Sequence, residues 1–114
     1  MGAMQRSSHV KIVVFAPESA ADAVRKALGD AGAGTMGDYT HCSFSAKGVG
    51  RFTPLPGADP AIGEIGKPEE VVEERIEVIC EREKARAVVD AMKAVHPYEE
   101  VAFEVYSVEG PGDF

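Results

Sequence analysis

The first recurring pattern is a β-rich run followed by apolar residues at helical spacing. Residues 11–15, KIVVF, favour a strand because β-branched residues dominate the run. From residue 18 to residue 31, apolar residues recur with the period of a helix. Pro17 suits the first turn of that helix, and Gly32 suits its C-terminal end. The pattern therefore predicts a strand followed by a helix.

The same pattern returns 64 residues further along the chain, without a gap. Residues 75–79, RIEVI, predict a second strand, and residues 83–95 predict a second helix, which Pro97 prevents from continuing. The shift superimposes apolar residues in both elements: Ile12 on Ile76, Val14 on Val78, Phe15 on Ile79, Val24 on Val88, Ala27 on Ala91 and Leu28 on Met92. We interpret this as two similar β-α units.

Each unit needs a second strand, and residues 39–46 and 101–108 supply them. The order βαββαβ predicts an α+β fold, the ferredoxin-like plait, in which an antiparallel sheet carries two helices on one face. Residues 12–15 are all apolar, so the first strand is apolar on both sides. Because a monomer leaves one sheet face bare, this favours a homo-oligomer in which another subunit covers that face.

A different composition marks the middle of the chain. Residues 47–68, KGVGRFTPLPGADPAIGEIGKP, hold most of the prolines and many glycines. They predict a long functional loop or flap, with a short strand at residues 51–53. We expect one ferredoxin-like domain over residues 10–108 that contains this flap. A cloning scar, MGAM, and a disordered leader are expected within residues 1–9, and a C-terminal tail at residues 109–114.

Charge and composition argue against several classes of protein. The net charge is -7 and the pI ≈ 4.9, and no basic stripe offsets this acidity, so we expect no nucleic-acid partner. No apolar run approaches the roughly 20 residues of a membrane span, and the N-terminus has no signal-peptide pattern, so no membrane partner and a cytoplasmic location are expected. Cys42 and Cys80 are too few for a disulfide scaffold and are expected to be reduced thiols.

The segment from Gly32 to Gly37, GAGTMG, matches the G-x-G-x-x-G pattern of dinucleotide-binding proteins. That pattern requires a strand before the glycines and a helix after them, so that phosphate meets a helix N-terminus. Here the order is inverted, because a predicted helix precedes the glycines and a predicted strand follows them. The dipole at a helix C-terminus repels phosphate. We therefore expect a helix C-cap and a tight turn at these glycines.

Two short clusters contain potential metal ligands. His41 and Cys42 are consecutive, so on a strand they point to opposite sides, and Cys42 is typical of a small buried residue. The sequence HPYEE, residues 96–100, puts an imidazole, a phenol and two carboxylates into one helix-to-strand turn. The metal hypothesis is a divalent ion held by His96 and Glu99, with Cys42 or His41 from another strand or subunit. The alternative is a structural turn in which His96 caps the helix and the acids are solvated.

No catalytic constellation is evident in the sequence. No nucleophile has a base at a recognisable spacing, so we assign no catalytic residue and expect a non-enzymatic protein. The acidic residues that precede the second unit are most simply a solvated charged run: Glu69, Glu70, Glu73 and Glu74.

The spacing of glycine, proline, cysteine and aromatic residues carries a family resemblance over nearly the whole chain. The motif residues are Gly37, Tyr39, Cys42, Ser43 and Phe44, then Gly50, Phe52, Pro54 and Gly63, then His96, Pro97, Tyr98 and Glu99. The HPYE segment resembles that of CutA-like proteins, which are trimeric ferredoxin-like proteins linked with divalent-cation tolerance and akin to PII signalling proteins. The longer pattern is similar to the CutA-like domain inserted in YqfO-type members of the NGG-interacting factor three-like family.

The resemblance implies a homotrimer with clefts near the HPYE turn. In full-length members of that family, the insert lies between the halves of a dinuclear metal domain rich in histidine and acidic residues. This chain has only three histidines and no room for that domain, so we do not transfer its metal site and expect the inserted module to stand alone.

Two functional hypotheses follow. The leading one is a small non-enzymatic binding or regulatory module of the CutA/PII-like type, with a cleft at a subunit interface for a small-molecule or protein partner. The alternative is a copper- or zinc-binding tolerance protein that uses His96.

Overall fold

Strands and helices follow one another in the order that the sequence predicts. A computed structural model describes residues 7–114, so the predicted cloning scar lies outside the described residues. Short 3-10 turns at Glu18–Ala20 and Arg82–Lys84 lead into the two helices, and a third covers Pro111–Asp113. The main elements are β1 (His9–Pro17), α1 (Ala21–Asp30), β2 (Phe44–Phe52), β3 (Glu69–Glu81), α2 (Ala85–Val95) and β4 (Phe103–Val108). No helix within residues 7–114 is long and apolar enough to cross a membrane.

The ordered structure begins before the predicted end of the leader. His9 is the first residue of β1 and pairs with both neighbouring strands. The backbone carbonyls of Ser7 and Ser8 accept hydrogen bonds from Arg82, at 2.7 Å from Nε and at 2.8 Å from the backbone N–H. The prediction of a disordered leader is therefore wrong for these three residues, and its remainder, residues 1–6, lies outside the described part.

All four strands form one antiparallel sheet in the order β2-β3-β1-β4. The central strands β1 and β3 align Val10 with Cys80 and Val14 with Ile76. Both helices pack on the same face of this sheet. The predicted α+β, ferredoxin-like βαββαβ plait is confirmed.

The hydrophobic core lies between the helices and the covered sheet face. Alternate residues of β1 and β3 point into it, because successive side chains of a strand face opposite sides. Four pairs from the 64-residue shift are buried in both members: Ile12 and Ile76, Val14 and Val78, Val24 and Val88, Leu28 and Met92. Each such buried aliphatic side chain stabilises the fold by about 1.5–3 kcal/mol. The sequence repeat thus arises because equivalent positions of the two β-α units form the core.

The second strand lies later in the chain than predicted. The predicted strand at residues 39–46 and the predicted flap at residues 47–68 are both wrong in their boundaries, because β2 runs from Phe44 to Phe52. β3 is long enough to pair with β2 along its whole length. Residues 47–52 were predicted to belong to a flap because of their glycines. Backbone hydrogen bonds to β3 instead hold them in a strand. The loop between the two strands comprises residues 53–68.

The sheet face opposite the helices, here called the open face, carries no helix within residues 7–114. Pairing places Phe15 of β1, Glu73 and Arg75 of β3 and Phe44 of β2 on this face. Phe44 is 67% exposed. One end of the open face is bordered by the loop of residues 53–68, and this end contains the candidate site.

Candidate functional site

A cleft of ≈ 520 Å³ lies where the open face meets two connecting segments, and we call it the loop cleft. Its floor comes from β1, β2 and β3. One wall is the loop after β2, and the other is the turn between α2 and β4. The lining residues are Phe15, Gly50, Arg51, Phe52, Thr53, Pro54, Leu55, Ala58, Pro60, Ala61, Ile62, Glu73, Tyr98, Glu99, Glu100 and Ala102. This volume falls within the range of about 300–1,000 Å³ typical of small-molecule sites.

Aromatic rings supply much of the apolar surface of the loop cleft. Phe52 and Tyr98 meet edge to face, with ring centroids 6.1 Å apart. Phe15 contributes a third ring, over which the Arg75 guanidinium carbon lies 5.7 Å from the centroid. The backbone N–H of Phe15 donates to the carbonyl of Ala102 at 3.1 Å, which ties the turn to β1. The backbone that carries the Phe15 ring is therefore joined to the segment that follows Tyr98.

His96 supports one wall of the loop cleft without lining it. The residue is buried, and both of its ring nitrogens have partners. The backbone N–H of Tyr98 donates to Nδ1 at 3.1 Å, which places the ring proton on Nε2, and Nε2 donates to the carbonyl of Phe15 at 2.9 Å. The backbone N–H of His96 also donates to the carbonyl of Met92, as the C-cap of α2. The imidazole therefore joins the end of α2 to β1 and positions Tyr98.

A phenol and a carboxylate meet inside the loop cleft. The hydroxyl of Tyr98 donates to Glu73 Oε2 at 3.0 Å. Burial, and secondly the hydrogen bond to Glu73, raise the pKa of Tyr98, so the phenol stays protonated at neutral pH. Gly50 leaves room for the carboxylate, because a Cβ at this position would lie 2.1 Å from Glu73 Oε1. Glu73 is thus partly buried over β2, which contradicts the prediction that it belongs to a solvated run.

The prediction of a solvated run is also wrong for Glu74. This residue is on the helix-covered side of the sheet and is 9% exposed. Arg25 of α1 donates through Nη1 to Glu74 Oε1 at 2.5 Å and to Ser45 Oγ at 3.1 Å. Glu70, by contrast, is exposed and pairs with Arg51 at 3.2 Å. Glu70 and Glu74 lie on the same side of β3, since four residues separate them. Glu74 is buried because Arg25 of α1 contacts it, whereas the partner of Glu70 is an exposed side chain of β2.

Hydrogen bonds hold the loop wall in place. The backbone N–H of Asp59 donates to Glu99 Oε1 at 2.8 Å, which links the loop to the opposite turn. The backbone N–H of Gly66 donates to the carbonyl of Pro54 at 2.7 Å, which closes the base of the loop. Gly57 has a φ of 103°, a conformation that glycine adopts without strain. Glu99 therefore shapes the loop cleft as well as lining it.

The four predicted metal ligands do not gather in the described part of the chain. His41 lies in the α1–β2 connection, and its Nε2 donates to Asp30 Oδ1 at 2.9 Å. Cys42 lies in the same connection, whereas His96 and Glu99 make the contacts given above. Within residues 7–114, no group of three or more His, Cys, Asp or Glu side chains is placed to hold a metal ion. A shared ion would need ligands from another subunit, so the metal set stays a prediction.

Two details of the His41-Cys42 interpretation need correction. The pair is not on a strand, because β2 begins at Phe44, and His41 has a positive φ of 59°. Cys42 is only half-buried, so the expectation of a small buried residue is wrong. The His41 ring instead packs on α1, where a Cβ at Gly29 would lie 2.1 Å from it. These residues close the α1–β2 connection.

The glycines of GAGTMG form the predicted helix C-cap. The backbone N–H of Gly32 donates to the carbonyl of Gly29, and that of Ala33 donates to the carbonyl of Leu28. These two bonds, with a φ of 113° at Gly32, are a Schellman motif. Gly34 then packs against the backbone of Cys42 and donates to the carbonyl of Ile79 at 2.7 Å. The helix C-cap prediction is confirmed.

The motif residues of the family resemblance fall into two groups. Those that line or support the loop cleft are Gly50, Phe52, Pro54, Gly63, His96, Tyr98 and Glu99. Pro97 lies in the turn between His96 and Tyr98. Those of the α1–β2 connection and the start of β2 do not line it: Gly37, Tyr39, Cys42, Ser43 and Phe44. Sequence reasoning did not identify Phe15 and Glu73 as site residues. The apolar position of Phe15 on the bare side of the first strand was the one available signal.

Comparison with known proteins shows similarity to one segment of longer proteins. No protein-family profile matches the chain. The chain is 50% identical over 99 residues to the GTP cyclohydrolase 1 type 2 homolog of Bacillus subtilis. The aligned residues make up 87% of this chain and 26% of that protein. It is 46% identical over 101 residues to the protein of the same name from Mycobacterium tuberculosis, 89% of this chain and 27% of that protein. The chain therefore spans about a quarter of these relatives.

Two solved structures are similar to this chain. A Bacillus cereus protein related to NIF3 superimposes with a TM-score of 0.79 and 45% identity, over 96% of this chain and 28% of that one. The periplasmic divalent cation tolerance protein CutA from Archaeoglobus fulgidus superimposes with a TM-score of 0.64 and 23% identity, over 90% of this chain and 85% of that one. The first supports the predicted resemblance to a segment of NIF3-related proteins, and the second confirms the CutA-like fold. That the module stands alone remains a prediction.

Proposed function

We propose that this chain is a non-enzymatic binding or regulatory module, equivalent to one segment of NIF3-related proteins, whose ligand occupies the loop cleft. The observation that carries the proposal is the loop cleft itself, ≈ 520 Å³ in volume. It combines three aromatic rings with one partly buried carboxylate, Glu73. Ligand sites in proteins commonly have this composition, with mostly apolar walls and a few polar groups that orient the ligand.

The walls of the loop cleft are held in place without a ligand, which also supports the proposal. Bonds from His96, Glu99 and Phe15 hold the turn and the loop against the sheet. A preformed site reduces the ordering cost of binding, so a small ligand can bind with useful affinity.

We further propose that the protein is a cytoplasmic homotrimer with the loop cleft near a subunit boundary. The support for assembly is the open face, where Phe44 and Tyr106 are 67% and 42% exposed. Exposed apolar patches on a sheet face commonly mark interfaces. A second subunit on this face would narrow the loop cleft and contribute residues to it.

The name of the curated relatives introduces GTP as a ligand to consider. That name belongs to proteins of which this chain spans about a quarter. The lining of the loop cleft contains Glu73, Glu99 and Glu100 against Arg51, and this balance disfavours a triphosphate in a single chain. We therefore propose that this segment binds a different ligand and regulates or complements the rest of such a protein.

A fragment screen by two-dimensional amide NMR tests the proposed function. The assembled protein is titrated with small molecules of mixed charge, and shifts are mapped on the sequence. We expect saturable shifts confined to residues 50–62 and 98–102. If fragments bind only elsewhere on the surface, or nowhere, the proposed function is wrong.

Divalent-metal binding is the alternative proposal, and the name of the Archaeoglobus fulgidus divalent cation tolerance protein favours it. In this chain a metal at His96 would have to displace either the Tyr98 N–H from Nδ1 or the Phe15 carbonyl from Nε2. Calorimetric titration with zinc and copper decides between the two proposals. Saturable binding that is lost in His96→Ala and kept in His9→Ala would support the metal-binding proposal. Equal heats for the wild type and both variants would exclude His96 as a ligand.

A further inference from the structure

We propose that the ligand of the loop cleft is an organic cation, a primary ammonium or guanidinium group attached to an apolar body. This inference rests on the proposed function and names the chemical class that the site selects. It follows from the charges, the aromatic rings and the shape of the loop cleft.

The charge balance of the lining is negative. Three carboxylates line the loop cleft, and the one basic lining residue in the described chain is Arg51. Arg51 Nε pairs with Glu70 at 3.2 Å, outside the lining, so its charge is already compensated. A cation entering the loop cleft therefore gains attraction, whereas an anion meets repulsion.

Glu73 offers an acceptor that the chain itself leaves available. No Lys, Arg or His side chain of residues 7–114 forms an ion pair with Glu73. Its hydrogen-bond donor is the neutral hydroxyl of Tyr98, at Oε2. The other oxygen, Oε1, lies over Gly50 at the floor of the loop cleft. A partly buried carboxylate with a single neutral donor is well suited to accept a charged N–H group.

The aromatic rings favour the same class of ligand. Tyr98 hydrogen-bonds Glu73 and meets Phe52 edge to face, so a cation bound to the Glu73 carboxylate would lie beside aromatic surface. Phe15 already accommodates a guanidinium in this way, from Arg75. The loop residues Leu55 and Ile62 supply surface for an apolar body. The loop cleft thus places a carboxylate that can bind a positive charge next to an apolar surface.

Three probes of similar size but different charge test the inference: phenethylammonium, the neutral 2-phenylethanol and the anion phenylacetate. Their affinities for the assembled protein are measured by the NMR titration described above. We expect the cation to bind about tenfold more tightly than the alcohol, and the anion to bind most weakly. Added salt should weaken the binding of phenethylammonium and leave the affinity for 2-phenylethanol unchanged.

Glu73→Gln is the matched variant, since it keeps the shape and an acceptor for Tyr98 but removes the charge. It should weaken phenethylammonium binding by about five-fold or more and leave 2-phenylethanol unaffected. Glu77→Gln is the control, because Glu77 is on the same strand and face but pairs with Arg75 at 3.0 Å.

Each result of this experiment has a definite meaning. Equal affinities for the three probes, or an unchanged cation affinity in Glu73→Gln, would overturn the inference and leave the proposed function standing. The same holds if none of the three binds while other fragments occupy the loop cleft. If no fragment of any charge binds there, both proposals are wrong.

Discussion

Tyr98 and Glu73 show how a residue-scale contact in the loop cleft influences stability. Burial, and then the hydrogen bond to Glu73, raise the pKa of Tyr98 above its ordinary value of 10.0. The folded chain therefore holds the phenolic proton more tightly than the unfolded chain does. The resulting contribution to stability is fully present below pH 10.0 and is lost as the pH rises from there through the pKa of the folded state.

The variant Tyr98→Phe tests this contact. It should remove the late component of the phenolate absorbance titration and make the free energy of unfolding less sensitive to pH on the alkaline side of 10.0. At neutral pH we expect a loss of about 1 kcal/mol, since a carboxylate acceptor loses its donor. A titration identical to that of the wild type would show that Tyr98 is not buried against Glu73.

Glu74 provides a second residue-scale prediction, on the other side of β3. Glu74→Ala leaves the partly buried guanidinium of Arg25 without its main acceptor on the sheet, so we expect a destabilisation of about 1–3 kcal/mol. The control is Glu70→Ala, which breaks an exposed pair and should change stability by less than about 0.5 kcal/mol. Urea unfolding of both variants measures the difference, and equal losses would contradict the burial of Glu74.

At the level of elements, the sequence predicted what depends on local periodicity. β1, α1 and α2 were found because their apolar residues repeat at strand or helix spacing, and their core faces are buried as expected. The predicted position of β2 was wrong because this strand is stabilised by pairing with β3. Its own glycine-containing sequence has little local preference for a strand. Glu73 and Glu74 were misjudged for a related reason, since their partners Tyr98 and Arg25 are distant in sequence.

The α1–β2 connection offers a test at this scale. Gly34 has a φ of 78°, and a Cβ there would lie 2.4 Å from the carbonyl oxygen of Cys42. Gly34→Ala should therefore cost at least about 2 kcal/mol in the free energy of unfolding. Gly48→Ala is the control, since a Cβ in the middle of β2 would meet nothing within 4 Å. Chemical unfolding compares the two, and a neutral Gly34→Ala would refute the close backbone contact.

At the scale of the whole molecule, the open face is the surface through which we propose that the protein assembles. One side of the sheet is covered by both helices, whereas the other exposes Phe44 and Tyr106. Light scattering after gel filtration should give three times the chain mass of 12.1 kDa. Phe44→Glu should shift this trimer towards monomer, because it places a charge in the proposed interface. A wild-type monomer at micromolar concentration would remove the proposal that subunits meet beside the loop cleft.

Intermolecular nuclear Overhauser effects show whether the ligand occupies the loop cleft. They are recorded on the assembled wild-type protein saturated with the tightest fragment from the screen. We expect contacts from the bound fragment to the ring protons of Phe52 and Tyr98 and to the side chains of Leu55 and Ile62. Contacts only to Phe44 or Tyr106, elsewhere on the open face, would contradict it.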